Sequence, residues 1–515
     1  MKSILLIRPP ERFLPHRSWP MVSLPLGLLY LAAAIEKKGY RAEIIDGIMP
    51  LGDRFEGAGE NFFGITFEEM KRRVSREDFD IVGISAQYTF QWANALKMAR
   101  LCKEVNPSCK VIVGGAHVSV ESLEIIKKYD CIDVAVQGEG EYLLPELAAR
   151  LRGNLPLEGL SGIAFRSGDG VFCSENTYIE DLDSLPFPAY HLVDMERYFA
   201  LMKEYSSRSA YKFPGWERGV SLITSRGCPY NCVFCSIHLH MGRRWRSHSA
   251  EYVLRHIEYL AKEHKVKYLH FEDDNLSFNV KRFEKILDGL LARKPPLRWD
   301  TPNGVRVDTF DENILSKCRE SGCAFIVFGI ESGVQRVLDE NIKKALSLDR
   351  VEKVLAQAKK VGVDARAFFM MGLPGESEED IKASIKYALR LMWEYECFGG
   401  FSMAVPLLGT KLYDECRDKG YFYLEPTIEN LSLAYLKQGI IKTEGFSPEF
   451  LNEMSMYFER RATVMFFLVF IRKITRDWRL LLYVVKSVFT SRPREWSSIY
   501  YKAILFHHAV LFDYV

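Results

Sequence analysis

Three cysteines stand close together in Arg226-Gly227-Cys228-Pro229-Tyr230-Asn231-Cys232-Val233-Phe234-Cys235, a C-x3-C-x2-C run. Thiolates at this spacing ligate soft metals, and two chemistries compete for them. A cubic iron-sulfur cluster held by only three cysteines leaves one iron without a protein ligand, so a small molecule with an amine and a carboxylate can chelate it. A zinc site of Cys3His type would instead take His238 or His240 as its fourth ligand. The remaining cysteines (Cys102, Cys109, Cys131, Cys173, Cys318, Cys323, Cys397 and Cys416) lie in segments with strand or helix periodicity. They read as buried small hydrophobes rather than a disulfide framework.

The elements that must present the three thiols form a regular series. Short apolar runs at 221 to 224, 268 to 271, 305 to 307, 325 to 328, 365 to 370 and 401 to 405 alternate with amphipathic helices such as Ala250 to His264, where Val253, Ile257 and Leu260 share a face. Six βα units make an open, partial (β/α) barrel, and the cysteine loop follows its first strand.

Upstream, β-branched runs at 3 to 7, 41 to 45, 80 to 85, 110 to 115 and 132 to 136 alternate with helical segments at Leu26 to Lys38 and Phe90 to Val105. That pattern predicts a doubly wound, Rossmann-like parallel sheet over residues 1–150. Ligands of such sheets sit beyond the carboxyl ends of the strands, where this chain has Arg8-Pro9-Pro10, Ser85-Ala86-Gln87, Gly114-Gly115-Ala116-His117 and Gly138-Glu139-Gly140-Glu141. A connector is expected at 151–215, the barrel at 216–424 and a helical region at 425–515.

The cysteine spacing, with aromatic Phe234 before the third thiol, resembles the defining motif of the radical S-adenosylmethionine superfamily, and its companions follow in order. They are Phe271-Glu272-Asp273-Asp274-Asn275, Val305-Arg306-Val307-Asp308, Gly329-Ile330-Glu331-Ser332-Gly333, Met371-Gly372-Leu373-Pro374-Gly375-Glu376, and Pro406 with Gly409-Thr410. The resemblance implies a [4Fe-4S] cluster on Cys228, Cys232 and Cys235, and S-adenosylmethionine bound by Phe234, Glu272, Asp273, Arg306, Glu331, Ser332 and Gly372. Taken singly, a strand-end acid equally well satisfies local backbone groups, and Gly-Leu-Pro-Gly is a turn.

Over residues 1 to 420 the chain is similar to the cobalamin-binding subgroup of that superfamily, through Pro25-Leu26-Gly27-Leu28-Leu29-Tyr30-Leu31-Ala32, Gly39, Asp46, Gly114 to His117 and Gly138 to Glu141. The likeness implies cobalamin held near Pro9, Ser85, Gln87, Gly114, Gly115, Gly138, Glu139 and Gly140, with the loop histidine His117 adjacent. The Asp-x-His-x-x-Gly motif that supplies a histidine to cobalt in other cobalamin proteins is absent.

The implied chemistry is reductive cleavage of S-adenosylmethionine to a 5'-deoxyadenosyl radical, with an external electron donor such as flavodoxin or ferredoxin, and methylation of an unactivated carbon of an apolar or natural-product-like small molecule. A radical oxidative cyclisation, like that of the anaerobic magnesium-protoporphyrin ester cyclases, is the alternative enzyme, and a zinc-stabilised binding scaffold the non-enzyme. Transfer-RNA methylthiolation is disfavoured, because neither a small basic RNA-binding module nor a second tight C-x2-C pair is present, and no nucleic-acid partner is expected.

Net charge is +2, with residues 451 to 515 holding ten Lys/Arg against five Asp/Glu. Ala462 to Ile471 is uncharged between Arg460-Arg461 and Arg472-Lys473, too short to span a bilayer. With Trp478, Leu480 to Val485, Lys486, Arg492, Arg494 and Lys502 it reads first as a helical cap on the barrel, and second as a peripheral membrane contact. The same greasy tail could wall a pocket for a lipid, isoprenoid or tetrapyrrole. MKSILLIRPP at the start reads as a buried strand rather than a signal peptide, so a cytoplasmic, optionally membrane-associated location is expected.

Overall fold

A computed structural model describes residues 2–12, 22–49, 62–206 and 215–476. The chain divides into two compact units, the first comprising Met1–Tyr198, Arg226–Pro229 and Ser236–His248, the second Phe199–Ser225, Tyr230–Cys235 and Ser249–Val515.

The first unit is built on β1 (Ser3–Arg8), β2 (Ala42–Asp46), β3 (Phe79–Ser85), β4 (Lys110–Gly114), β5 (Val134–Val136), β6 (Ile163–Ser167) and β7 (Gly170–Cys173), in spatial order β2-β1-β3-β4-β5-β6-β7. The first five are parallel, and β6 and β7 extend the edge antiparallel. Helices Leu26–Lys37, Phe67–Val74, Trp92–Val105 and Ala116–Lys128 make the crossovers, and Leu143–Gly153 connects to the antiparallel edge. Ile4 to Ile7, Ile81, Val82 and Val111 to Val113 are buried, as strands covered on both faces must be. The 2-1-3-4-5 order is a doubly wound fold, with its topological switch between β1 and β3.

The second unit holds six parallel strands in sequential order: β8 (Gly219–Leu222), β9 (Tyr268–Phe271), β10 (Arg298–Val305), β11 (Cys323–Glu331), β12 (Ala365–Met371) and β13 (Phe398–Met403). Helices between them, among them α1 (Ala250–Glu263), α2 (Val280–Ala292) and α3 (Glu378–Tyr395), complete the partial barrel. The third strand runs seven residues ahead of the expected Val305 start, and Val307–Thr309 is a 3-10 turn. Asp300, Pro302 and Gly304 interrupt its apolar pattern; Asp300 is fully buried because it bonds Tyr268 and His270 of the neighbouring strand, at 2.9 Å each.

A long helix, α4 (Pro448–Arg476), carries the uncharged stretch. Phe458 and Phe466 pack on Phe401 and Phe398 of β13, with ring centroids 4.8 and 4.9 Å apart, and Val469 and Phe470 are buried, so one face caps the barrel. No helix among the described residues is long and apolar enough to cross a membrane. Trp478 and the tail segments after it lie outside the described residues.

Candidate functional site

In the first unit the strand ends supply mostly bare backbone. Pro9 is buried at the end of β1, Ser85 is half-buried at the end of β3, and Gln87 is exposed beside Tyr88, whose ring stacks on Phe90 at 5.4 Å. Gly114 and Gly115 follow β4, and Gly138 and Gly140 follow β5. Gly115 has φ +118°, and a Cβ there would fall 2.6 Å from the Ala86 carbonyl oxygen. Ser119 ties the two glycine loops together, accepting from Gly138 N at 2.9 Å and donating to the Gly115 carbonyl at 3.0 Å. These positions form a glycine cradle at the carboxyl ends of β4 and β5, the edge at which a doubly wound sheet takes its ligand; a Cβ there would meet the protein's own atoms, Leu31 at 3.0 Å in the case of Gly140. His117 does not open onto it. It is buried against Trp92, 5.0 Å between rings, and burial drives its pKa down to about 4, so the ring is neutral.

Glu139 and Glu141 turn away from the cradle to two arginines of the same unit. Arg246 pairs with Glu139 at 2.7 Å and Arg226 with Glu141 at 2.6 Å, and all four side chains are at least nine-tenths buried. Burial alone would raise the Glu141 carboxyl, but the Arg226 guanidinium beside it outweighs that and holds it below the usual carboxylate range. The pairing was not legible in the sequence, because nothing local links residue 141 to residue 226.

In the second unit the predicted residues occupy consecutive strand ends. Glu272, half-buried after β9, accepts from Ser221 at 2.8 Å. Asp273 is buried and accepts from Thr224 N and Oγ1 and from Ser225 Oγ, at 3.1, 2.7 and 2.5 Å, fixing the chain just before the cysteine run. Burial raises its pKa in spite of these bonds and Arg282. Arg306 lies over the Tyr230 ring at 3.8 Å and donates to Asp308 and to the carbonyls of Lys344 and Ala345.

Glu331 holds the left-handed φ of +72° and pairs with buried Lys344 at 2.9 Å. Burial disfavours the Lys344 charge, yet Glu331, and after it Cys232, keep its pKa above the ordinary value. Lys344 belongs to no recognisable motif, and only the fold brings it beside Cys232. Ser332 is fully buried, its hydroxyl 2.9 Å from that of Ser384 on α3. Gly372, at φ +89°, donates to Glu376 at 2.8 Å, as does Leu373 at 2.7 Å; the other Glu376 carboxyl oxygen is buried with no hydrogen-bond partner.

The three thiols are half-buried. Cys228, with the first unit, donates its amide to Gly242 at 3.2 Å; Cys232 and Cys235 lie in the second, where Cys235 N bonds the Cys232 carbonyl at 3.1 Å. Between them Val233 donates to the Ile342 carbonyl at 3.1 Å and accepts from Leu412 N at 3.0 Å. Phe234 is half-buried beside it.

Residues 222–388 match the family described as the Radical SAM superfamily, and residues 19–148 the B12 binding domain. An uncharacterized methyltransferase of Pyrococcus horikoshii is 32% identical over 412 residues, 80% of this chain and 82% of that protein. The cytidylyl-2-hydroxyethylphosphonate methyltransferase of Streptomyces wedmorensis is 30% identical over 495 residues, 89% of each chain. Among solved structures, the cobalamin-dependent S-adenosylmethionine radical enzyme OxsB, with aqua-cobalamin and S-adenosylmethionine bound, superposes with a TM-score of 0.63 at 18% identity, over 99% of this chain and 72% of its own.

Proposed function

The chain belongs to the cobalamin-dependent radical S-adenosylmethionine methyltransferases, and from that membership we propose that it methylates an unactivated carbon of a small molecule, with the cluster on Cys228, Cys232 and Cys235. When bound, the cluster, S-adenosylmethionine and cobalamin together supply a carbon radical and a methyl group. The chain's own part is to hold and to shield. Lys344 and Arg306, cations close to the cysteine loop, offset its negative charge and can take a carboxylate, while Glu272 can accept from an ammonium or hydroxyl group. Gly372, at φ +89°, turns the chain at its strand end, with Leu451 2.8 Å from where a Cβ would stand. The cradle of Gly114, Gly115, Gly138 and Gly140 would hold the corrin ring at the strand ends, with His117 buried on Trp92 beside it.

The observation that carries the reading is the series of strand-end groups, Glu272, Arg306, Glu331 with Lys344, and Gly372, on consecutive parallel strands after the one that leads into the three cysteines. A small-molecule substrate agrees with the barrel's inner face, where Phe368 is 42% exposed beside Gly304. Cytidylyl-2-hydroxyethylphosphonate, named for the Streptomyces relative, and an apolar tetrapyrrole are the first two compounds to try.

The test is anoxic reconstitution followed by iron, sulfide and corrinoid analysis, then turnover under a strong reductant. A product heavier by one CH2, with release of 5'-deoxyadenosine, is expected. Cyclised product of lower mass would replace methylation by the ring-forming reaction, and stoichiometric zinc without iron would remove the enzyme reading.

A further inference from the structure

The Gly138-Glu139-Gly140-Glu141 loop has a second use besides the cradle. Within the first unit its two carboxylates meet the two arginines that flank Cys228 in the chain, Arg226 before it and Arg246 after it. The contact is extensive. Arg246 reaches Glu139 with both terminal nitrogens, at 2.7 and 2.8 Å, and donates to the carbonyls of Ile179 and Met241, each at 2.7 Å. Glu139 also accepts from Ile179 N at 2.6 Å, and Arg226 stands 3.5 Å from Glu139 as well as 2.6 Å from Glu141. Tyr30 and Tyr178 cover the guanidinium faces, with centroids 5.7 and 5.1 Å away.

The segment held in this way has little freedom left. Gly227, next to Cys228, takes φ +81°, and a Cβ there would lie 2.5 Å from the Arg244 carbonyl oxygen. Gly242, which accepts the Cys228 amide, takes φ +79° with the Tyr178 ring 3.0 Å from its would-be Cβ. Asn176 adds a bond to the Leu239 carbonyl at 3.1 Å. Four charges are removed from water here. Such an arrangement is costly unless every partner is present, and a forked guanidinium transmits its own orientation to the backbone that carries it.

We propose that Glu139 and Glu141 are positioning residues for Cys228: through Arg226 and Arg246 they set where the first cysteine of the metal motif stands. The inference rests on the proposed cluster only for its consequence, since the placement of the thiol can be read without metal. A ligand shell supported by buried ion pairs holds its metal in one geometry, and removing the support loosens the metal before it unfolds the domain.

The experiment compares the full-length chain with its Glu141→Gln and Glu139→Gln variants. In the metal-free protein, the rate of maleimide alkylation at Cys228 is followed by peptide mass, with half-buried Cys131, at the far end of β5, as the internal reference. A several-fold change at Cys228 with an unchanged rate at Cys131 is expected, partly restored in Glu141→Asp. Arg226→Lys, which keeps the charge and loses the fork, must move Cys228 in the same direction. In the reconstituted protein, the same variants should release iron to a chelator several-fold faster and show a reduced-cluster EPR signal altered in its response to S-adenosylmethionine. Equal Cys228 rates in all variants would overturn the inference even if the wild type holds its cluster. Shifted rates in a chain that holds no cluster would uphold the positioning and sink the radical-enzyme reading instead.

Discussion

At Glu376 a single carboxyl sets a pH dependence. Burial pushes its pKa up to about 7, against hydrogen bonds from Leu373 N and Gly372 N that pull it down, whereas in the unfolded chain it titrates near 4.5. The folded protein therefore holds an extra proton between these values. The stabilisation is complete below about pH 4.5, declines as pH rises and is gone above about 7; a shift of this size is worth ~3 kcal/mol. Thermal melts of Glu376→Gln should lack the part of the decline between pH 5 and 8 that the wild type shows; parallel curves would refute this assignment. A second outcome belongs to the thiols: Cys228→Ala, Cys232→Ala and Cys235→Ala should each lose iron while keeping bound cobalamin, measured as metal and corrinoid per chain. The cysteine run stands out in the sequence because three thiols fall within eight residues. Lys344, Arg226 and Arg246 do not, since each is paired only with a side chain distant in sequence. For strand-end groups such as Asp273 and Ser332, sequence marks the position but not the partner: Asp273 turns back to Thr224 and Ser225, and Ser332 to Ser384.

Among the elements, the tight loops after β4 and β5 carry the prediction. In Gly115→Ala the new Cβ would meet the Ala86 carbonyl at 2.6 Å in a backbone conformation that L-residues avoid. Cobalamin retained after gel filtration should fall sharply while the cluster remains. His117→Phe, by contrast, should leave the visible spectrum of bound cobalamin unchanged, because the imidazole packs on Trp92 beneath the helix start; loss of a nitrogen-ligated spectrum would contradict this. Parallel strands of the first unit were readable as continuous apolar runs. The third barrel strand was misplaced for the converse reason: Asp300 and Thr301 are polar yet buried, because Asp300 serves Tyr268 and His270 and Thr301 accepts from Val327 N at 3.2 Å.

For the molecule as a whole, two units with separate sheets predict separable loading. Corrinoid should bind to a chain in which Cys228, Cys232 and Cys235 are replaced, and iron to one carrying Gly115→Ala, whereas turnover requires both; calorimetric titration with cobalamin and iron analysis of the two variants check this. The α/β pattern repeated twice made both sheets visible in the sequence, while the seat of α4 on β13 depended on Phe458 and Phe466, aromatic positions that suit a lipid surface equally well until the fold supplies Phe401 and Phe398.

Val233 joins two distant parts of the chain through its own peptide groups, one to Ile342 and one to Leu412. During synthesis the thiol motif therefore leaves the ribosome long before the backbone that seats it has been made. A stalled nascent chain ending short of Leu412 should present Cys232 to alkylating reagents as an unfolded peptide does, and completion of the barrel should protect it. The seat of the thiol motif is thus complete only after most of the protein has been translated.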